Sequence, residues 1–316
     1  MSKNLIEILK RCIKPIGKVL SILSIIFVIY SVYKLGFDFD SITDIKTFVV
    51  IVIFGVTVKI FSVILAGSAW SDWLKLFAVN KNFNRKEAIK AYSKANIGKY
   101  LPGNVMHYVE RNLFATGLGL SQKRIALGSA AEIVGQLLSA FIMGFIMAYA
   151  YFLRAVNEIF KGKNVIYIVV IFVLLVIAFI CMAVFRKKIM NFVREFGAKA
   201  FVKTFFVTLI KYILSLWLLG FIMVVLYGYM GGHINSVNFK IIIAGYIIAW
   251  VLGFVTPGAS GGIGVRELVI ILLLKEVVGE ELILTLSVIH RLITIVGDFL
   301  LYFAVIFTIG KGEAKK

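Results

Sequence analysis

"FVTPGASGGIGVRELVIILLL", residues 254–274, sets a proline, four glycines and an adjacent Arg266–Glu267 pair between two apolar runs. Loose backbone at membrane depth is tolerated only where protein or a water-filled cavity surrounds it. A chain that writes such a stretch between apolar runs is building a broken, re-entrant turn inside a membrane protein. The rest of the sequence agrees. It has 316 residues, 61% hydrophobic and only 16% charged, with a mean hydropathy of +0.97. Soluble globular domains do not have that composition. Several runs approach the roughly 20 apolar residues that cross a bilayer. The fold class read from this is an all-α polytopic membrane protein. No small-residue cleavage site follows the first apolar run, so that run is expected to stay as a helix.

The formal charge of +19 has a topological reading. Segments 1–18, 72–99, 121–124, 186–203 and 310–316 hold 23 of the 35 Lys and Arg. That bias follows the positive-inside pattern and places both termini in the cytoplasm of a cell-membrane protein. The same basic segments can also attract anionic lipid headgroups. They are too short to build a nucleic-acid surface, so no nucleic-acid partner is expected. Cys12 and Cys181 have neither metal-ligand spacing nor a disulfide framework. No metal and no cofactor are expected.

The apolar runs divide into two sets. The first set comprises 16–35, 47–70 and 125–153, with a short mixed stretch at 86–119. The second comprises 164–185, 203–230 and 282–309, with the broken stretch at 239–279. Gly98, Pro102, Gly103, Arg111 and Leu113 recur at Gly253, Pro257, Gly258, Arg266 and Leu268, each 155 residues later. A fixed offset of this kind marks a duplicated unit. Each unit reads as three spanning helices and one re-entrant helical hairpin, over 1–155 and 156–316. Three crossings is an odd number, so the second unit must be inverted relative to the first. Inverted repeats with broken helices meeting at the midplane are a transporter arrangement. Gly245, Ala249 and Gly253 form a small-residue stripe on one limb, read as a packing surface.

The candidate binding residues sit in and around the hairpins. The amides at the start of a helix after "PGASGGIG" favour an anion, and Arg266 in its first turn can add a bidentate contact to a phosphate. The alternative is that Arg266 and Glu267 only pair with buried partners to hold the hairpin. "PGNVMHYVERN" is the counterpart, with Arg111 aligned to Arg266 and Glu110 before it. His107 there can titrate near neutral pH or can be a hydrogen-bonded interior residue. Lys59, Glu132, Lys211, Arg291 and Asp298 lie inside apolar runs. Charges at such depth are costly and face a bundle interior or an aqueous path; for Lys59, snorkelling to an interface is the alternative. The excess of interior cations over acids suits an anionic headgroup. No HExxH, GxSxG or P-loop motif is present to argue for an enzyme.

"NIGKYLPGNV" with Arg111 downstream, and "TPGASGGIGVRE" followed by a leucine-rich helix and a later His290–Arg291, resemble the lysylphosphatidylglycerol synthase transmembrane family. This is the flippase-like membrane domain of the multiple peptide resistance factor. The resemblance covers roughly 15–310. It implies movement of an aminoacylated phospholipid across the membrane. In two-domain members, a soluble domain transfers lysine from lysyl-tRNA to phosphatidylglycerol; this chain is expected to lack that domain. Carried over onto matching positions are Pro102, Gly103, Arg111, Pro257, Gly258, Gly261, Gly262, Gly264, Arg266, Glu267 and Arg291. The chain departs from the family in reading "TPGASGGIG" where a shorter "TPGGIG"-like turn is expected. Distant relatives are associated with polyprenyl-linked glycan assembly, so a polyprenyl phosphate is a second lipid expectation. The expected function is a lipid flippase whose partner is a membrane phospholipid. The alternatives are a phosphatidylglycerol lysyltransferase-type membrane enzyme served by a soluble transferase partner, and an envelope scaffold. A homodimer is compatible with each.

Overall fold

The computed structural model describes residues 44–78, 83–100, 106–161, 190–191, 193–256 and 260–313. The expected spans 16–35 and 164–185, and Pro102, Gly103, Pro257 and Gly258, lie outside the described residues. The described chain is helical: α1 (Ile45–Phe77), α2 (Arg85–Ala95), α3 (Met106–Phe114), α4 (Gln122–Lys161), α5 (Ala198–Tyr229), α6 (Ser236–Val255), α7 (Val265–Val278) and α8 (Glu280–Glu313). Five of these, α1, α4, α5, α6 and α8, are long and apolar enough to cross a membrane. Four match the expected spans, extended by several residues at their ends. The fifth, α6, was read from sequence as a hairpin limb; its 20 residues have the length of a full crossing.

Side chains near the chain's polar punctuation start these helices. Asp44 caps α1, accepting from the Lys46 amide at 2.9 Å and the Thr47 hydroxyl at 2.5 Å. The Thr47 hydroxyl is the main reason the Asp44 carboxyl titrates below its ordinary range. Asn84 caps α2 and Asn235 caps α6, each accepting two backbone amides, as N-cap residues do. Gly279, at φ +94°, breaks α7 from α8 in a backbone region that L side chains rarely adopt.

Two buried clusters organise the packing. The larger joins α5, α6, α7 and α8 around Ile222, Met223, Ile243, Tyr246, Ile270 and Ile289. The smaller joins α1, α2 and the start of α4 around Trp70, Leu74, Tyr92 and Ile125. The outer surfaces carry Val50, Phe141, Phe206, Leu272 and Phe303, all strongly exposed, as lipid-facing residues must be. Apolar area gives little net drive for helix association in lipid, where close packing and interhelical hydrogen bonds take over. Gly245 shows the first: a Cβ there would lie 2.7 Å from Leu274, so α6 and α7 touch at a point where only hydrogen fits.

The second is concentrated where α1 crosses α5. Ser62 Oγ donates to the Ser215 carbonyl at 3.1 Å, and Ser215 Oγ donates to the Ser62 carbonyl at 3.1 Å. The two hydroxyls are 2.8 Å apart. The helices run antiparallel over their whole length. Phe48 and the carbonyl of Asp44 meet Tyr229 at one end, while Trp73 meets Phe201 and Phe77 meets Phe196 at the other. The broken stretches start from opposite ends of this pair. The limb α2 begins beside the α1 C-terminus, where Arg85 pairs with Asp72. The limb α6 follows the α5 C-terminus, which lies against the start of α1.

Candidate functional site

Each broken stretch turns back on itself. In the first, α2 runs into a 3-10 turn at Asn96–Tyr100, and α3 returns so that Phe114 lies under the Lys94 ammonium, 4.3 Å from the ring centroid. In the second, α6 and α7 converge until a Cβ at Gly253 would be 3.3 Å from the Gly262 Cα. The turn needs Gly261, Gly262 and Gly264, all at positive φ. The two tips touch. The Tyr100 ring lies against Gly261, where a Cβ would meet it at 3.3 Å. Between the tips and the α1–α5 crossing is a cavity of about 120 Å³.

Three charge clusters wall this cavity. In the first, Arg111 of α3 pairs with Glu132 of α4, and both are almost fully buried. Its guanidinium sits 3.8 Å over the Tyr92 ring, and the Tyr92 hydroxyl donates to Glu132 at 2.8 Å. Gln136, one turn further along α4, donates to the same carboxylate at 3.0 Å. A single buried acid thus receives three donors, which is what a charge removed from water requires.

The second cluster centres on Asp298 of α8. Lys59 approaches it at 3.1 Å and Lys99 at 2.6 Å. Asn96 and Tyr100 each donate to it at 2.6 Å. One carboxylate therefore ties α1 and the first hairpin tip to α8. Lys59 is 6% exposed and held inward by this pair, so it does not snorkel.

The third cluster separates the roles of two adjacent residues. Glu267 accepts the Gly264 amide at 2.6 Å and so closes the first turn of α7. It also lies 3.6 Å from Arg291 Nε, while Arg291 Nη2 donates to the Gly261 carbonyl at 3.0 Å. Glu267 and Arg291 brace the hairpin. Arg266 makes no ion pair and no hydrogen bond among the described residues, and its Nε is closed off from solvent. It lies across Gly253 and Gly262, close to both backbones, and faces the cavity.

Several other buried polar atoms on the cavity wall also lack hydrogen-bond partners among the described residues. They are Arg111 Nε, Arg291 Nε, the Tyr212 and Tyr246 hydroxyls, and His107 Nδ1. Buried polar groups are normally satisfied. These orphaned atoms belong to side chains from α3, α5, α6, α7 and α8 that line one cavity. Five cations (Lys59, Lys99, Arg111, Arg266 and Arg291) line the space. Three carboxylates (Glu132, Asp298 and Glu267) stand among them, so two positive charges are uncompensated among the described residues.

Of the described residues singled out in the sequence, Lys59, His107, Arg111, Glu132, Gly261, Arg266, Arg291 and Asp298 line the cavity, Gly262, Gly264 and Glu267 form the hairpin turn beside it, and two lie elsewhere. Lys211, well inside α5, pairs at 2.5 Å with Asp72 toward the C-terminal end of α1 and is not on the cavity. Glu110 is off the cavity wall as well; its carboxylate packs against Gly98. Sequence reading missed Tyr92, Tyr212 and Tyr246, which carry no pattern. It also missed Lys99 and Asn96, which lie in the quoted "NIGKY" motif but fell within the basic segment 72–99 read for topology. Among the described residues no group of His, Cys, Asp and Glu could hold a metal ion. No family model matches the chain, and no curated protein matches it.

Proposed function

We propose that the protein is a lipid transporter of the flippase type, holding the phosphate of an anionic lipid between its two hairpin tips. The observation that carries this reading is Arg266: a cavity-facing guanidinium without a counter-ion among the described residues, beside other orphaned donors. A phosphate supplies acceptors and negative charge to such a set, and a guanidinium fork matches its geometry. Val63, Ala66, Leu216, Leu219 and Trp250 make the cavity wall partly apolar, which suits the first carbons of a lipid.

The antiparallel pairing of α1 and α5, with hairpins rising from opposite ends, supports the inverted-repeat reading. In such an arrangement, rocking of the halves about a central site alternates access between the two membrane faces. The basic inner segments favour a cell-membrane protein with cytoplasmic termini.

The test is a proteoliposome assay with fluorescent phosphatidylglycerol and phosphatidic acid, run in parallel with a membrane-impermeant quencher. Purified protein should move at least one of the probes between leaflets without nucleotide. Arg266→Ala should abolish movement, and Arg266→Lys should slow it, because lysine lacks the planar fork. Movement that is equal in wild type and Arg266→Ala, or no movement with any anionic lipid, overturns the reading. A covalently modified lipid in the presence of a soluble partner would favour a transferase instead.

A further inference from the structure

The charge and donor inventory of the cavity narrows the class of headgroup beyond "anionic lipid". This inference rests on the cavity being the anion site proposed above. Two properties matter. The first is charge: counted formally, the wall has two more cations than carboxylates among the described residues, and the hairpin-tip residues 101–105 and 257–259 are all uncharged in sequence. A buried excess of that size is best neutralised by a dianion, since uncompensated charge away from water is strongly unfavourable. The second is the kind of orphan. Arg111 Nε and Arg266 Nε are donors only. The Tyr212 and Tyr246 hydroxyls can both donate as well. A phosphodiester offers two unsubstituted oxygens to such a set and one negative charge. A phosphate monoester offers three and close to two charges near neutral pH.

Size points the same way. A cavity of about 120 Å³ has room for a phosphoryl group and a few waters.

We infer that the cavity takes a phosphate monoester dianion, the terminal group of a lipid such as a phosphatidate or polyprenyl phosphate, or free inorganic phosphate.

The experiment measures binding to purified full-length protein in detergent micelles by thermal shift and by native mass spectrometry. Three probes are used: dioleoyl phosphatidic acid, dioleoyl phosphatidylglycerol with identical tails, and inorganic phosphate. Phosphatidic acid should bind at least tenfold more tightly than phosphatidylglycerol. Inorganic phosphate should compete with it. If phosphatidic acid outbinds inorganic phosphate a hundredfold or more, the monoester is a lipid's; if they bind alike, it is the free ion.

Two variants place the effect in the cavity. Arg266→Gln removes a charge and should cut phosphatidic acid binding tenfold or more. Tyr246→Phe removes one orphan hydroxyl with little change in shape and should lower the preference over phosphatidylglycerol severalfold. Equal binding of the two lipids overturns the inference. So does a preference that survives both variants. The outcomes separate from those of the transport assay: phosphatidic acid binding without leaflet exchange sinks the transporter and keeps the dianion site, while equal exchange and binding of both lipids does the reverse.

Discussion

Ser62 and Ser215, 153 residues apart in sequence, donate to each other's backbone carbonyls at 3.1 Å with their hydroxyls 2.8 Å apart. The symmetry of this exchange makes the α1–α5 crossing a reciprocal joint. Each alanine substitution should destabilise the protein by about 0.5–1.5 kcal/mol, a usual value for an intramolecular hydrogen bond. The pair should be coupled, so the double variant should cost less than the sum of the singles, with a coupling of about 0.6–1.7 kcal/mol as found between membrane helices. Reversible unfolding in mixed micelles measures this. Strict additivity would show that the two hydroxyls do not act as a unit.

Breaking the Arg111–Glu132 pair from one side should be severe. Glu132→Leu leaves a buried guanidinium without its acid and should cost about 3–5 kcal/mol. Combining it with Arg111→Met removes both charges and should recover much of that stability while leaving phosphate binding weak. Thermal unfolding and the phosphatidic acid titration give the two readouts. A double variant as unstable as Glu132→Leu alone would count against the ion-pair account.

Asp298→Asn should loosen the first hairpin tip. The substitution strands Lys59 and Lys99 beside a neutral amide, although Asn96 and Tyr100 keep an acceptor. A loss of several kcal/mol is expected, on the order of that for other broken buried pairs. Adding Lys59→Met should restore part of it. Protease sensitivity across 96–106 and the unfolding midpoint check this; an unchanged midpoint in Asp298→Asn would rule out the latch role.

The glycines should differ sharply from one another. Gly262→Ala must hold a side chain at φ +73° and press it 3.2 Å from the Gly253 Cα, where only backbone can give way. It should separate α6 from the α7 turn and abolish leaflet exchange. Gly144→Ala, in α4, meets nothing within 4 Å and should be neutral or stabilising by up to about 1 kcal/mol. Matching behaviour of the two variants in unfolding and exchange assays would remove the argument for close approach.

Much of this architecture was readable from sequence, for definite physical reasons. Long apolar runs, polar caps such as Asn84 and Asn235, and the proline–glycine breaks are local signals, and the helices follow them. The 155-residue offset between Arg111 and Arg266 pointed to both hairpins. What could not be read is which member of a charged pair does what. Arg266 and Glu267 are neighbours in sequence, yet one caps its own helix and the other faces a cavity; only the path of the turn through Gly264 decides that. The Asp298 cluster was equally hidden, because Asn96 and Tyr100 lie 202 and 198 positions away. Lys59 and Lys211 read alike in the sequence, each a cation inside an apolar run. In the structure the two part company: Lys59 reaches Asp298 on α8, while Lys211 reaches Asp72 on its antiparallel neighbour α1.

The Tyr100 ring rests on bare backbone at Gly261 while its hydroxyl is fastened to Asp298. One aromatic side chain is therefore shared between both inward-folded wedges and the final helix. Withdrawing either wedge must slide that ring off its glycine seat and tug on the same oxygen that Lys99 grips. In the transporter proposed above, strain applied at one face of the bilayer would converge on this single bolt, and the gate should spring between shut and open with few half-open states, as tightly packed contacts tend to do.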